Sequence, residues 1–305
     1  MSFTYDLARF ISFRDLKECE RVRAIKKADI TNHANPDFKI RIIEDQAQFY
    51  AAFAIDIVAR IRQALDEGRR FVGIFPVGPM PQYAIAARMI NRLRIPMHHV
   101  HTFNMDEYAD QDGVTAPVTW EGSFKRTMFD VFFDRIEPGL RPPEAQIHFP
   151  SSDNIERYGD EIAELGGADT CYGGIGWCGH IAFWESHLGH EFDGDLEAYK
   201  AAGPRIVELN PMTIMQNALH SFGGDWSNVP PKAATIGPAE ILGAARRSFW
   251  LDGDLGGGVS WQRFIARLVA HGPVSEFVPG SLLQTASTDF TMLGGVADDV
   301  TIDMA

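Results

Sequence analysis

Cysteine is scarce in this 305-residue chain: Cys19, Cys171 and Cys178 make an odd number without disulfide spacing. That excludes a disulfide-stapled scaffold and fits a reducing compartment. Positive charge is also short, with 28 Lys and Arg against 41 Asp and Glu and a net charge of −13. A phosphate backbone needs a basic surface, so nucleic acid is not an expected partner. No apolar run approaches the roughly 18–20 residues that span a bilayer, and no membrane contact is expected. Asp6 and Arg9 stand where a secretory signal would have its apolar stretch, so the expected location is cytoplasmic. Low-complexity segments and internal repeats are missing too. What remains, 45% hydrophobic and 23% charged, is an ordinary globular composition. The length allows one large α/β domain or two smaller ones.

Residues 1–38 read as an N-terminal arm, closed by the loop-like run Asn32-His33-Ala34-Asn35-Pro36. Its basic residues (Arg9, Arg14, Lys17, Arg21, Arg23, Lys26, Lys27) read first as a solvated face. The sharper reading is a contact with an acidic neighbour, which would make the chain a homo-oligomer through the arm. Residues 39–305 read as a single α/β domain. Phe49, Phe53, Ile57, Ile61 and Leu65 recur at four-residue spacing and predict a helix from Gln46 to Glu67, ended by Gly68. Phe71-Val72-Gly73-Ile74-Phe75 is a short continuous apolar run, as in a strand buried on both faces. A helix from Gln82 to Leu93 and a strand around Val100–Phe103 follow.

The same alternation recurs with strands at Asp169–Tyr172, Ala233–Ile236 and Ser248–Leu251. Helices at Ala239–Ala245 and Trp261–Ala270 follow the last two. This pattern predicts a three-layer α/β fold, a mainly parallel sheet with helices on both faces. Ligands of such sheets bind beyond the carboxyl ends of the strands.

Three strand-end segments carry unusual residues. Pro76-Val77-Gly78-Pro79-Met80-Pro81 joins a strand to a helix, but its three prolines lack N–H groups and it has no hydroxyl. It is a poor anion cradle and reads equally as a rigid turn. Asn104-Met105-Asp106-Glu107-Tyr108 places two carboxylates at the end of a buried strand, which is costly unless they are used. The plain alternative has Asp106 capping the next segment and Glu107 in water. Gly173 to Glu185 packs four glycines, Cys178, His180 and Glu185 into one loop, and a His beside a carboxylate is the usual tuned acid/base. Metal ligation by Cys178 and His180 lacks a second ligand pair. His98, His99 and His101 alternate in direction along a strand, so no metal is expected there either.

In this order and spacing, Thr102-Phe103-Asn104-Met105-Asp106-Glu107-Tyr108 and Gly179-His180-Ile181-Ala182-Phe183-Trp184-Glu185 resemble the glucosamine-6-phosphate deaminase/isomerase family. The likeness runs from about Ile40 to Leu293, with lesser support from Val229, Pro230, Ala233, Thr235 and Gly237. It implies that family's Rossmann-like fold and its chemistry, ring opening, a C2-to-C1 proton shift and loss of ammonia from a sugar substrate. Asp106 is then similar to the C2/C1 base, His180 to the ring-opening acid/base and Glu185 to the carboxylate tuning it, with Glu107 supporting the base. The loops holding Gly78, Pro79 and Met80, and Gly176, Trp177, Cys178 and Gly179, would bind substrate. No cofactor is implied.

The departures are as informative. Val77-Gly78-Pro79-Met80-Pro81 replaces a loop reading T-G-G-[ST]-P, and Cys178 replaces an aspartate. The phosphate-holding arginine falls at Leu219 or His220, and the lysine at Gln262, next to Arg263. Each lost charge-assisted contact is worth about 1.5–3 kcal/mol. The expected substrate is therefore a related sugar whose tail is not gripped as phosphate, with Met80, Trp177 and Trp184 as an apolar or stacking surface. Two rival readings are a 6-phosphogluconolactonase-like hydrolase and a catalytically retired sugar-binding homologue.

Overall fold

The computed structural model describes residues 5–302 and 304; residues 1–4 of the predicted arm and 303 and 305 of the predicted domain lie outside them. In chain order the first half holds α1 (Leu16–Arg23), β1 (Phe38–Ile43), α2 (Gln46–Asp66), β2 (Phe71–Phe75), α3 (Pro81–Leu93), β3 (Val100–Asn104), β4 (Asp106–Ala109), α4 (Phe124–Val131), β5 (Ile147–His148) and α5 (Tyr158–Glu164). The second half holds β6 (Thr170–Gly173), α6 (Leu196–Lys200), β7 (Arg205–Glu208), α7 (Pro211–Ser221), β8 (Lys232–Thr235), α8 (Pro238–Gly243), β9 (Arg246–Leu251), β10 (Asp254–Gly256), β11 (Val259–Ser260), α9 (Arg263–His271), β12 (Thr288–Leu293) and α10 (Gly294–Ala297).

Seven strands form one parallel sheet in the order β1-β12-β9-β6-β2-β3-β5. Every residue of β2 is buried, as its unbroken apolar run requires of a strand covered on both faces. The stripe of α2 delivers Phe49, Phe53, Ile57 and Ile61 to the main core, where Phe53 stacks on Trp250 at 4.5 Å between ring centres. Right-handed crossovers put α2 and α3, which pack together, on one face and α5 and α9 on the other. From β2 the chain moves toward β3; from β6 it moves the opposite way, to β9 and β12. The segments leaving β2 and β6 therefore diverge and open a crevice at the carboxyl edge, the topological switch point of the sheet.

One predicted strand belongs elsewhere. β8, expected among the alternating parallel strands, pairs antiparallel with β4 and β7 in a separate three-stranded sheet. Its short apolar run looks the same in either setting, because periodicity does not report strand direction. The second sheet continues β3 almost without a break. Met105 is the joint: its N–H donates to Phe75 C=O in the parallel layer and its C=O accepts from Ile236 N–H beside β8. Asp106, the next residue, stands where the chain passes from one sheet to the other.

The segment before β1 packs on the domain. α1 lies along α9, Val22 and Ile30 are fully buried in the main core, and Arg21 donates to His271 C=O. Lys26 pairs with Asp299, and Lys27 with Glu44 and Asp298. Among the described residues, no helix is long and apolar enough to cross a membrane.

Candidate active site

A cavity of about 290 Å³ occupies the crevice. Its walls come from the loop after β2 (Pro76–Pro81), the β3–β4 joint, the loop after β6, the end of β9 and helix α7. Asp106, His180, Gly78, Pro79, Met80, Gly176 and Gln262 all line it, from segments up to 184 residues apart in sequence. Trp177, Cys178, Gly179, Glu107 and Glu185 are not among the lining residues, and each has a different place.

Asp106 opens β4 opposite Thr235 and is buried apart from its cavity face. Burial pushes its carboxyl up to about 7; the charge of His180 pulls it back and Glu107 adds slightly. A carboxylate whose pKa lies near neutrality is matched to taking and returning a proton. Glu107 points the other way. Strand alternation turns it toward α4, where it accepts from Ser123 Oγ and Lys125 N–H at 2.9 Å and from Phe124 N–H at 3.0 Å. Its carboxylate satisfies the N-terminal turn of α4, so any support it gives Asp106 is through the backbone they share.

His180 is held from behind. Thr213 Oγ1 sits 2.9 Å from His180 Nδ1 and 2.9 Å from Glu185 Oε2, so Nδ1–H donates to the hydroxyl, which donates to the carboxylate. Cys178 Sγ lies 3.3 Å from Nδ1 and donates to Glu185 Oε2 at 3.0 Å. Asn210 N–H, at the start of α7, donates to Glu185 Oε1 at 3.1 Å. Burial alone would depress the imidazole; Cys178 and Glu185 outweigh it and push His180 up to about 10. Burial likewise opposes the Glu185 carboxylate, yet His180 and the surrounding donors hold it below the usual range. The result is an imidazolium with Nδ1 occupied and Nε2 on the side of Gly176.

That contact explains one glycine. A Cβ on Gly176 would lie 1.9 Å from His180 Nε2, closer than any real packing allows. Gly176→Ala is expected to push the imidazole off its cavity-facing position and to cost about 10²-fold in turnover, the scale of a catalytic group misplaced by an ångström. Steady-state kinetics with a thermal melt alongside check this; an unchanged rate would mean that His180 position does not matter.

Cys178, His180 and Glu185 also offer three ligand atoms within 4.8 Å, the grouping of metal-ligand type among the described residues. Hydrogen bonds within the cluster and to Thr213 account for these close approaches without an ion. His98 is exposed, His99 Nε2 is spent on Ile61 C=O and His101 lies beside Gln146.

Two substrate-side expectations need correction. Trp184 is fully buried in a second core around Tyr199 and Leu209, with Arg205 stacked over it at 4.6 Å, so it offers no surface to a ligand. Trp177 donates its backbone N–H to Gln216 Oε1 at 2.6 Å, and its ring packs on Trp261. The aromatic walls are instead Tyr108, Phe124, Phe183, Trp250 and Trp261. Gln262 lines the cavity, but its amide is spent on backbone, accepting from Gly253 N–H at 2.7 Å and donating to Ile175 C=O at 2.5 Å. His220 also lines the cavity, 5.1 Å from Trp261 between ring centres, and burial lowers its pKa. Among the described residues lining the cavity there is no Arg or Lys. Thr213 and Asp252 were not singled out by sequence; a helix-start threonine and a strand-end aspartate carry no local mark of their roles.

Known proteins resemble this chain in sequence and in fold. No protein-family model matches the chain. Glucosamine-6-phosphate deaminase of Caenorhabditis elegans is 36% identical over 212 residues, which cover 67% of this chain and 72% of that protein. Glucosamine-6-phosphate deaminase 2 of Giardia intestinalis is 32% identical over 212 residues, 68% of this chain and 71% of that one. Among solved structures, a monomeric glucosamine-6-phosphate deaminase matches with a TM-score of 0.71 at 22% identity, over 85% of this chain and 99% of that one. A 6-phosphogluconolactonase from Trypanosoma cruzi matches with a TM-score of 0.63 at 13% identity, over 89% and 100%. The structural likenesses establish the shared three-layer fold; with sequence identity above 30% across most of a curated relative, the chain belongs to the glucosamine-6-phosphate deaminase family.

Proposed function

We propose that this protein is an aldose–ketose isomerase that deaminates an amino sugar lacking the 6-phosphate. One observation carries the reading: a near-neutral carboxylate, Asp106, and a charged imidazole, His180, line the same cavity, which is bare of Arg and Lys among the described residues. His180 Nε2 donates a proton to the ring oxygen as the hemiacetal C–O bond breaks, and the imidazole so neutralised takes the C1 hydroxyl proton, giving the open aldehyde and restoring the imidazolium. Asp106 then takes the C2 proton while the His180 imidazolium protonates O1, and an enol spanning C1 and C2 forms; transfer of the proton from Asp106 to C1 leaves the nitrogen at C2 as an iminium. Water adds to that carbon and ammonia leaves, giving the ketose. A 1,2-proton shift needs one carboxylate on one face of the enol, and ring opening needs a second group near the ring oxygen.

A phosphate carries nearly two negative charges; the described lining holds no Arg or Lys, and the one imidazolium, His180, is already paired with Glu185, which leaves those charges uncompensated in a low-dielectric site. This supports an uncharged tail. The alternative within this reading is isomerisation without ammonia release.

Incubation in D₂O with amino and neutral sugars, phosphorylated and free, tests the proposal, following C1/C2 deuterium by NMR and ammonia in the same tubes. Exchange is expected on an unphosphorylated sugar, and ammonia separates deaminase from plain isomerase. Exchange confined to the phosphorylated members would refute the altered grip. Silence across the panel would favour a retired sugar-binding homologue.

A further inference from the structure

The end of β9 carries a carboxylate that the proton-transfer chemistry does not use. Asp252 lines the cavity, and Tyr50 Oη donates to its Oδ2 at 2.7 Å. It is separated from Asp106 by half the width of the sheet: β6 and β2 lie between β9 and β3, three strand spacings, or roughly 14 Å backbone to backbone. The two carboxylates thus approach a bound sugar from opposite ends.

The surroundings of Asp252 are neutral. Trp250 and Trp261 line the wall beside it, and Gln262, tied to Gly253 N–H and Ile175 C=O, fixes the turn that follows. The indole Nε1 of Trp261 and the amide Nδ2 of Asn217 are buried without a partner among the described residues, although both side chains line the cavity. An acceptor and orphaned donors in one cavity are satisfied together by a hydroxyl, which both donates and accepts. A phosphate satisfies only the donors and sets its charge against the carboxylate. Burial raises the Asp252 carboxyl, and the hydrogen bond from Tyr50 opposes that rise and favours the ionised form.

We propose that Asp252 is the specificity determinant of this cavity, accepting a hydrogen bond from a free hydroxyl on the sugar's tail and excluding a phosphate there. The inference rests on the reading that the cavity holds a sugar, and it names the residue and the tail chemistry that reading leaves open.

Titration calorimetry of the full chain with glucosamine and with glucosamine 6-phosphate measures the preference directly. The wild-type protein is expected to hold glucosamine at least tenfold more tightly, and Asp252→Asn to shrink that ratio about tenfold, the scale of one charge-assisted contact. Tyr50→Phe keeps the carboxylate but frees it, and is expected to shift the ratio less and in the same direction. Thermal melts verify that both variants fold. A wild-type preference for the phosphate, binding of neither sugar, or a ratio that Asp252→Asn leaves alone each overturns the inference. C2 exchange in D₂O keeps the two ideas apart: a preserved preference without exchange removes the catalytic reading only. Exchange with a ratio insensitive to Asp252 removes this inference only.

Discussion

Asp106→Asn is expected to lower C2 deuterium exchange by about 10³-fold while leaving sugar affinity within a few-fold, as for loss of a general base. The amide is nearly isosteric, so the β3–β4 joint and its pairing with Thr235 should survive. What disappears is the carboxylate that the proposed mechanism uses to accept the C2 proton, and Glu107 does not replace it, being committed to α4. The pH dependence carries the same information. With its carboxyl at about 7, Asp106 is protonated below that point and cannot act as a base, so the wild-type rate should fall tenfold per unit toward acid. It should level off above pH 7 and persist until His180 loses its proton near 10. Exchange rates from pH 5 to 11 give both numbers; an Asn variant with wild-type exchange would take Asp106 out of the reaction.

How much of this could be read from the sequence depended on whether the cause of a feature was local. β2 was legible residue for residue, because burial on both faces imposes an unbroken apolar run, and α2 because one buried face imposes a four-residue spacing. Asp106 and His180 were legible as members of a resembling motif, and the structure places both at one cavity. Glu107 was not, since the helix start it satisfies lies 16 to 18 residues away. Thr213 reaches Glu185 and His180 across 28 and 33 residues, and a threonine in the first turn of a helix looks like any other. Trp184 illustrates the reverse: an aromatic residue in a binding motif has the same letter whether it faces a ligand or a second core. Asp252 becomes visible only when the strand order places β9 beside β6 at the mouth of the crevice.

Glu185→Ala should be the most destabilising single change at the site, by about 3–5 kcal/mol, because it strands a buried imidazolium. In a chain of this size that corresponds to a fall in Tm on the order of 10 °C. The loss should depend on pH in a way that identifies its origin. His180 binds its proton more tightly folded than unfolded, so the stability it contributes is fully present below its unfolded pKa of about 6.5 and is lost as pH rises through about 10. Glu185, held low, contributes stability present above its ordinary value and lost as pH falls through its lowered one. The pair is therefore worth most between these limits, and the Tm difference between wild type and variant should be large at pH 6 and shrink by pH 10. Thr213→Val removes the bridging hydroxyl but leaves both charges in place, and should cost less, about 1–3 kcal/mol for the donor and acceptor it leaves unpaired. Turnover should follow the same order, since without Glu185 the imidazole is loosened and holds its proton less firmly, leaving less of the charged acid for ring opening. A Tm difference of equal size at both pH values would mean that Glu185 fills space rather than pairing charge, and the acid role of His180 would lose its physical basis.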